Sequence, residues 1–575
     1  ALRGRVRLPL RNNMPAGKIY AKITLNNLHP ERFVSAGARG PVNFSLVSRS
    51  QRGLRDLVTK IRVDLNRFVY TLDNSQSRPM YVKVFADIGT SITHNMKHIN
   101  VDLQKVGLRL LSLRKKPAVK LDLDGKVAVR QGAEQRIWGS VYMRQLFFDQ
   151  MNLYDTMPDA LRGGARRDEQ PLKDPVTMDG GLHFRMAGQH IRSHGDFGIK
   201  VPTFDVNDLK VAYKIHMDQR RNIIRINKAT VGSKSKHLLV ETHGKLAPRR
   251  VYDPEKRKHV TKAVPDIKAK VSLISPKKGD GYSTFTVFQP PEGSPINIGG
   301  SIVLKANVDN QDISGSLNIR RFEFNDSAYT KVKNMNMSFP FALQLDYKKN
   351  ISKLEMGQAE IISNFHFSEK PNFSIESISA KHPARDKAYT YMKDFQALMF
   401  VRDNTFELKK LQARVLDGQL IGKDTLFYLG NLDPKQMQYQ LKLNLINIDM
   451  AALDQTLVQK QQEGGLLSAF VNLSGRDPAA ADPRGYIIVN KIGADIAKEV
   501  MEGLNEKEGE SKLGIAQPIV DRSTIPKSFE FRLGDGNIYT TVKFRRGAFS
   551  MVADLHPSEL NYSRIPIQEF ITGMQ

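Results

Sequence analysis

Hydrophobic and polar residues alternate strictly along the segment from Asn334 to Tyr347. Every odd-numbered position from Met335 to Tyr347 is apolar, and every even-numbered position is polar or small. Because successive side chains on a strand point to opposite faces, this pattern predicts a strand with one apolar face and one polar face. At about 3.3 Å per residue the strand would run roughly 45 Å, well beyond the usual length of about 5–6 residues.

The same alternation recurs from about residue 55 to about residue 555. Apolar positions from Ile302 to Val308 and from Ile313 to Ile319 flank Asn310, which predicts a hairpin over 301–320. Further alternating segments lie at 119–123, 211–217, 267–273, 439–445 and 529–533. The chain is therefore predicted to be all-β, built of antiparallel strands with a few short helices.

Helical spacing is scarce. Ile492, Ile496, Val500 and Leu504 recur every four residues and predict a helix near 492–505, which we interpret as a plug over the end of the sheet. Shorter helices are predicted at 53–60, 387–398 and 451–460. Segments rich in Pro, Gly and charge predict long loops at 162–181, 247–266, 275–295 and 508–528.

Strands with one apolar face must bury that face against helices, a second sheet, or something that is not protein. The predicted helices are too few to cover so many long strands. Two architectures remain: a series of β-sandwich or barrel domains, or one long sheet curled into a trough whose apolar side holds lipid tails. Burial of each CH₂ group is worth roughly 0.8 kcal/mol, so a two-tailed lipid could cover such a face as well as protein could.

The composition of the chain limits the binding partners and the kinds of catalytic or metal site that it can have. A net charge of +28 suggests polyanions, but the Lys and Arg residues are scattered, often on the polar side of strands, as on a solvated face that prevents edge pairing. The absence of cysteine excludes disulfides, thiolate metal sites and a Cys nucleophile. The sequence has no run of about 18 apolar residues that would predict a transmembrane helix. Because the chain begins with Ala1 and has no signal peptide, we interpret it as processed or as part of a longer protein.

Candidate catalytic and metal-binding groups are weak. His183, His190 and His194, like His94 and His98, lack ligand spacing on predicted strands and loops. Asp122 and Asp124 could form a carboxylate pair but lie on the polar side of a strand. No phosphate loop, dinucleotide fingerprint or nucleophile elbow occurs. We therefore expect no catalytic residues, no bound metal and no cofactor, and a protein that is not an enzyme.

Nucleic-acid binding is the main rival from another functional class. It requires a basic stripe with aromatic stacking platforms. The aromatic residues here accompany the aliphatic ones on the apolar side, and only Tyr252 lies near a basic cluster. We therefore expect no nucleic-acid partner.

Two consecutive segments carry a resemblance to a known family. Residues 411–426, LQARVLDGQLIGKDTL, precede 438–453, QYQLKLNLINIDMAAL. Asp417-Gly418 predicts a tight turn, the apolar phase shifts at Ile446 and Ile448 as at a β-bulge, and Asp449 is placed to cap a short helix. With 467–475, 484–489 and 564–571, this order resembles the C-terminal region of the AsmA-like bacterial envelope proteins. The resemblance covers roughly residues 400–575.

The resemblance implies a bridge-like lipid-transfer protein, in which a long β-trough anchored in the inner membrane crosses the periplasm and carries phospholipid toward the outer membrane. We accordingly predict an elongated, curled antiparallel sheet that forms a β-groove, with a trough segment at 1–400 and an AsmA-like region at 401–575. The expected partners are phospholipids, the inner membrane through an anchor absent from this chain, and inner- or outer-membrane proteins. The alternatives are a structural β-sandwich protein of the cell envelope and a basic nucleic-acid-binding protein.

The predicted lining of the lipid groove comes from the clearest alternating segments. Its residues are Ile302, Leu304, Ala306, Val308, Leu317, Ile319, Met335, Met337, Phe339, Phe341, Leu343, Leu345, Tyr439, Leu441, Leu443 and Leu445.

Overall fold

The computed structural model describes most of the chain. The described residues are 2–7, 10–11, 14–15, 17–32, 38–70, 80–94, 97–111, 116–156, 172–253, 256–288, 294–326, 330–345, 351–356, 371–382, 385–428, 436–450, 466–476, 483–493, 500, 526–544 and 559–566. They fall into two compact units, unit 1 at Ala1–Val271 and unit 2 at Ser272–Gln575.

Long strands dominate unit 1. The strands are β1 Leu2–Arg7, β2 Leu10–Arg11, β3 Met14–Pro15, β4 Ile19–Leu28, β5 Ala38–Arg39, β6 Val42–Ser50, β7 Asp56–Tyr70, β8 Met80–Thr93, β9 His98–Leu111, β10 Pro117–Arg130, β11 Arg136–Phe148, β12 Val176–Ala187, β13 His190–Val201, β14 Val206–Asp218, β15 Ile223–Ser233, β16 Leu238–Asp253 and β17 Lys258–Ile274, which ends just beyond the unit boundary. The described helices are the α-helix α1 at Gln150–Thr156 and 3₁₀ turns at Pro30–Arg32, Gly53–Arg55 and Pro202–Phe204.

Unit 2 is also built of strands. They are β18 Lys277–Lys278, β19 Gly281–Tyr282, β20 Phe285–Phe288, β21 Ile296–Asp309, β22 Asp312–Asn325, β23 Lys331–Leu345, β24 Ile351–Met356, β25 Phe373–His382, β26 Arg385–Arg402, β27 Thr405–Val415, β28 Gly418–Tyr428, β29 Gln438–Asp449, β30 Leu466–Arg476, β31 Arg484–Ile492, β32 Pro526–Gly534, β33 Asn537–Phe544 and β34 Glu559–Pro566. The predicted all-β class is confirmed.

Strands pair antiparallel, and almost always with their neighbours in sequence. In unit 1 the order is β1, β4, β6, β7 and then onward in turn, while β2 and β3 form a separate small hairpin. In unit 2 the order runs in turn from β20 to β34, except that β23 pairs with both β24 and β25, and both of these pair with β26. The predicted hairpin at 301–320 is confirmed, since β21 and β22 flank a turn at Asn310, whose φ is 56°. Among the residues that the structure describes, no sheet is strongly curled, so the curvature of the predicted trough is not confirmed.

Several local predictions are wrong. The segment 387–398 lies within strand β26 rather than in a helix, and 53–60 contains only a 3₁₀ turn before β7 begins at Asp56. The predicted loop at 247–266 consists mostly of strands β16 and β17, and the loop at 275–295 contains β18, β19 and β20. The proposed helix at 451–460 lies outside the described residues.

The predicted helix near 492–505 is only partly described. Ile492 is the last residue of strand β31 and therefore does not begin the helix. Val500 is helical, and residues 494–499 and 501–505 lie outside the described part of the chain. The division of the chain at 400/401 remains a prediction.

Candidate functional site

The register of β21, β22 and β23 brings the predicted lining residues into rows across one face of unit 2. Directly paired residues in antiparallel strands carry their side chains on the same side of the sheet. The rows are Ile302–Ile319–Met337, Leu304–Leu317–Phe339, Ala306–Gly315–Phe341 and Val308–Ile313–Leu343. Met335 pairs with Phe322, and Leu345 pairs with Ile351 of β24.

The first of these rows continues laterally through the sheet to the other predicted segment, β29. Pair by pair it reads Ile302, Ile319, Met337, Phe373, Ala397, Leu411, Gly422, Leu443, Val471 and Ile487. A second row joins Phe341, Met356, Val401, Phe406, Phe427 and Tyr439. The two predicted groups therefore share one surface, which we call the unit 2 apolar face.

The residues that connect the two groups were not among the predicted lining. Phe373, Leu411 and Val471 each lie on the apolar face, but Ala397 and Gly422 interrupt the hydrophobic signal between them. A row that runs across the sheet joins residues from different strands. Such a row cannot be read from the sequence until the register of every strand pair is known.

The predicted lining residues of the unit 2 apolar face are mostly half-buried, whereas the connecting residues Ala397, Val401, Leu411 and Gly422 are buried. Of the predicted lining, only Ile319 and Phe339 are buried, at 7% and 5% exposure, and all the other residues are half-buried. In a β-sandwich the facing side chains interdigitate and exclude water almost completely. The burial pattern of this part of the face is that of a single layer of sheet.

Two aromatic rings of the apolar face lie against glycines on the neighbouring strand. A Cβ placed on Gly315 would be 2.7 Å from Cζ of Phe341, and one on Gly475 would be 2.6 Å from the hydroxyl oxygen of Tyr439. In each case the glycine is the directly paired residue on the neighbouring strand. Glycine leaves room for the ring to lie against the backbone, so these aromatics cover the sheet without a second layer.

The apolar face closes toward the C-terminal strands. Ala469, Val489, Phe529, Ile538 and Val542 form a buried cluster, with Phe529 and Val542 at 0% exposure. The predicted lining residue Leu445 and the helical residue Val500 both pack against this cluster. Leu445 therefore lies at the edge of a protein core, and the contact of Val500 is consistent with the predicted plug.

The motif that carried the family resemblance is partly as predicted. Asn447 has a φ of 50°, and the pairing of β29 with β30 shifts between Leu445 and Ile448, which confirms the bulge. Ile448 is buried, whereas Ile446 is 38% exposed, so only Ile448 returns to the apolar side. The helix that Asp449 was predicted to cap lies beyond the described residues.

The tight turn of this motif is shifted by one residue. Val415 pairs with Gly418, so the two turn residues are Leu416 and Asp417, with φ of 47° and 60°. Two positive φ values correspond to a type I′ turn, which suits the twist of antiparallel strands. Glycine is needed at position 418 for a different reason: the main chain of Asn447 lies so close that a Cβ at Gly418 would collide with it.

Unit 1 has an apolar face of its own, which was not included in the predicted lining. One row reads Leu25, Phe44, Val63, Ala86, Val106, Leu123, Met143, Gly180, Phe197, Val211, Val231 and Val240. All of these residues are half-buried. The pattern found in unit 2 therefore occurs independently in unit 1.

The polar face of unit 1 contains the weak catalytic candidates. Asp122 accepts a hydrogen bond from Arg109, and Asp124 accepts one from Arg144 at 2.8 Å, so the two carboxylates are separately ion-paired. The rings of His183 and His194 stack with centroids 4.8 Å apart, and Nδ1 of His183 lies 2.6 Å from the Ser140 hydroxyl. Within the described ranges, no group of three or more His, Asp or Glu side chains is arranged to hold a metal ion.

One carboxylate on the unit 1 sheet has a strongly perturbed pKa. Desolvation by burial alone would raise the pKa of Asp208, but hydrogen bonds lower it to about 2. The donors are the Ser233 hydroxyl at 2.5 Å, and the backbone NH and hydroxyl of Ser235 at 2.8 and 2.7 Å. These contacts tie the start of β14 to the 234–237 turn, which indicates a structural role.

Among the described helices, none combines the length and the apolar character needed to cross a bilayer.

Comparison of the chain with protein-family models, with curated proteins and with solved structures finds no match. The AsmA-like resemblance therefore rests on the sequence motifs alone.

Proposed function

We propose that this protein is a non-enzymatic carrier of phospholipids, whose acyl chains lie on the apolar faces while the headgroups remain in water. The observation that carries the proposal is the lateral row from Ile302 to Ile487, an apolar surface that spans many strands. Six of its ten residues are only half-buried: Ile302, Met337, Phe373, Leu443, Val471 and Ile487. Exposed apolar surface of this extent marks an interaction site.

The energetics favour hydrocarbon as the occupant. Each CH₂ group that leaves water for the face gains roughly 0.8 kcal/mol, so an acyl chain that covers several strands gains several kcal/mol. The described part of the face offers alkyl and aromatic groups without a buried charge. Affinity therefore depends on contact area rather than on one specific site, which allows a lipid to slide from row to row.

The family resemblance supplies the proposed cellular setting. We place the protein in the periplasm, where it would bridge the inner and outer membranes and carry phospholipid through a β-groove. It would attach to the inner membrane through an anchor that is not in this chain, with inner- or outer-membrane proteins as further partners. This setting rests on the motifs in 411–453 and not on the geometry.

The structural alternative is a β-sandwich of the cell envelope. It would require the faces to be sealed by a second sheet, in the way that the cluster around Phe529 is sealed by its own residues. The half-burial of Phe341, Leu343 and Leu443 favours the carrier.

The test is mass spectrometry of organic extracts from the purified protein, combined with a transfer assay between donor and acceptor vesicles. The proposal expects copurified phospholipid with mixed acyl chains and acceleration of transfer by the protein. Protein that is free of lipid and that leaves transfer at the spontaneous rate would contradict it.

A further inference from the structure

A pocket of about 520 Å³ lies on the polar side of unit 2. The small hairpin of β18 and β19 forms one wall, with Lys277, Asp280 and Tyr282, while β22 and β23 supply Arg320, Arg321 and Asn336. The hairpin is tied down by the Ser283 NH, which donates to the carbonyl of Pro276 at 2.9 Å.

A β-bulge explains why two consecutive arginines face the same pocket. Ile319 and Phe322 both lie on the apolar face, paired with Met337 and Met335. The two residues between them, Arg320 and Arg321, must therefore both lie on the polar side. An unbroken strand would have directed one of them to the apolar face.

The bulge is held in an unusual backbone conformation. Arg321 has a φ of 46°, which is rare for a residue with a side chain, and its NH donates to Oδ1 of Asn336 at 2.8 Å. Its guanidinium donates to the main-chain carbonyl of Asp280 and so links the bulge to the hairpin. A backbone conformation that is strained, and that several surrounding contacts hold in place, is found mainly at ligand-binding and catalytic sites.

The charges of the pocket are unbalanced. Lys277, Arg320 and Arg321 are cationic, and the Asp280 carboxylate is the single acidic group among the lining residues. Lys277 and Arg320 make no ion pair with any residue in the described ranges. Two unpaired cations beside an arginine that is already fixed are a suitable arrangement for a phosphate group, which accepts several charge-assisted hydrogen bonds at once.

We propose that this pocket binds a phosphate ester, with Arg320 and Lys277 as the ligand-contacting cations and Arg321 as the residue that positions the hairpin. The phosphate could belong to a small soluble ester or to a lipid headgroup, and both present the same chemistry. This site does not depend on the apolar face holding lipid.

Titration calorimetry at low ionic strength tests the proposal, with sn-glycerol 3-phosphate as the soluble probe. Flotation with phosphatidylcholine vesicles containing phosphatidic acid tests binding of a lipid headgroup.

We expect Arg320→Gln and Lys277→Gln each to weaken binding roughly tenfold. Asp280→Asn, which removes the only lining carboxylate, should strengthen binding several-fold. Binding of the soluble ester assigns a free phosphate ligand, and binding of the vesicles alone assigns a headgroup.

A matched control separates the pocket from general electrostatics. Arg192 in unit 1 is exposed and has no ion-pair partner among the described residues, so Arg192→Gln removes the same charge elsewhere. An equal loss of binding in Arg192→Gln and Arg320→Gln would overturn the proposal, and so would the absence of binding in both arms. Because Arg320 is exposed, folding of its variant can be checked by circular dichroism.

Discussion

The ring of Phe341 on β23 lies over Gly315 on β22, its direct partner in the antiparallel register. A Cβ at position 315 would be 2.7 Å from Cζ of the ring and would also collide with the carbonyl of Lys305. This pair shows how a single layer of sheet can half-cover its own apolar face.

Replacement of Gly315 by alanine should destabilise the protein by about 1–3 kcal/mol, because both the ring and the β21 backbone would have to move. The measurement is chemical denaturation followed by circular dichroism. Gly89→Ala is the control, since the nearest atom to its added Cβ is 3.7 Å away. It should be neutral or stabilise slightly, and equal effects of the two substitutions would show that steric contact is not the cause.

Phe341→Asp should abolish copurification of lipid while the protein stays folded. Phe341 is half-buried, so water can reach the new carboxylate, whereas the charge would obstruct an acyl chain on the face. Lipid content by mass spectrometry and the circular dichroism spectrum are measured together. Ala342→Asp places the same charge on the exposed polar side of the strand and should retain the lipid. Global unfolding of Phe341→Asp would indicate a sealed core instead.

Phe529→Ala should be more costly than Phe341→Ala. Phe529 is fully buried in the C-terminal cluster, so its truncation should cost about 3–5 kcal/mol, while the half-exposed Phe341 should cost roughly half as much. Denaturant unfolding of the two variants gives the comparison. If the two losses were equal, the contrast between a closed C-terminal core and an open apolar face would be wrong.

Asp208 should contribute to stability above about pH 4 and lose that contribution as the pH falls toward 2. Its folded-state pKa is lowered from 3.8 to about 2, so the ionised form is favoured by folding. Below the folded-state pKa both states are protonated and the contribution, about 1–2 kcal/mol after solvent screening, disappears. Asp208→Asn should flatten the dependence of unfolding free energy on pH between 4 and 2. An unchanged slope would show that Asp208 titrates normally.

Period-two alternation predicted the strands well because one face of each strand is apolar and the other is polar. It failed where a bulge changes the phase. In β26 the register shifts around Asp394, whose φ is 52°, so that Met392, Phe395 and Met399 are spaced by three and four residues. That spacing imitates a helix, which explains the wrong prediction at 387–398.

Other features depend on information that is not local. The highly charged segment 247–266 was predicted to be a loop, but pairing of neighbouring strands overrides its composition. The positions of Phe373 and Leu411 on the apolar face follow only from the register. The pocket formed by the β18–β19 hairpin and the bulge at Arg321 requires contacts between residues about 40 positions apart.

Photo-crosslinking along β23 tests the central claim most directly. A benzophenone amino acid is placed in turn at Met337, Phe341 and Leu343 on the apolar face, and at the neighbouring positions Ser338, Ala342 and Gln344 on the polar face. After irradiation in cells, lipid adducts are measured by mass spectrometry. We expect phospholipid adducts at the odd-numbered positions and none at the even-numbered ones. Adducts at neither set, or equally at both, would contradict it.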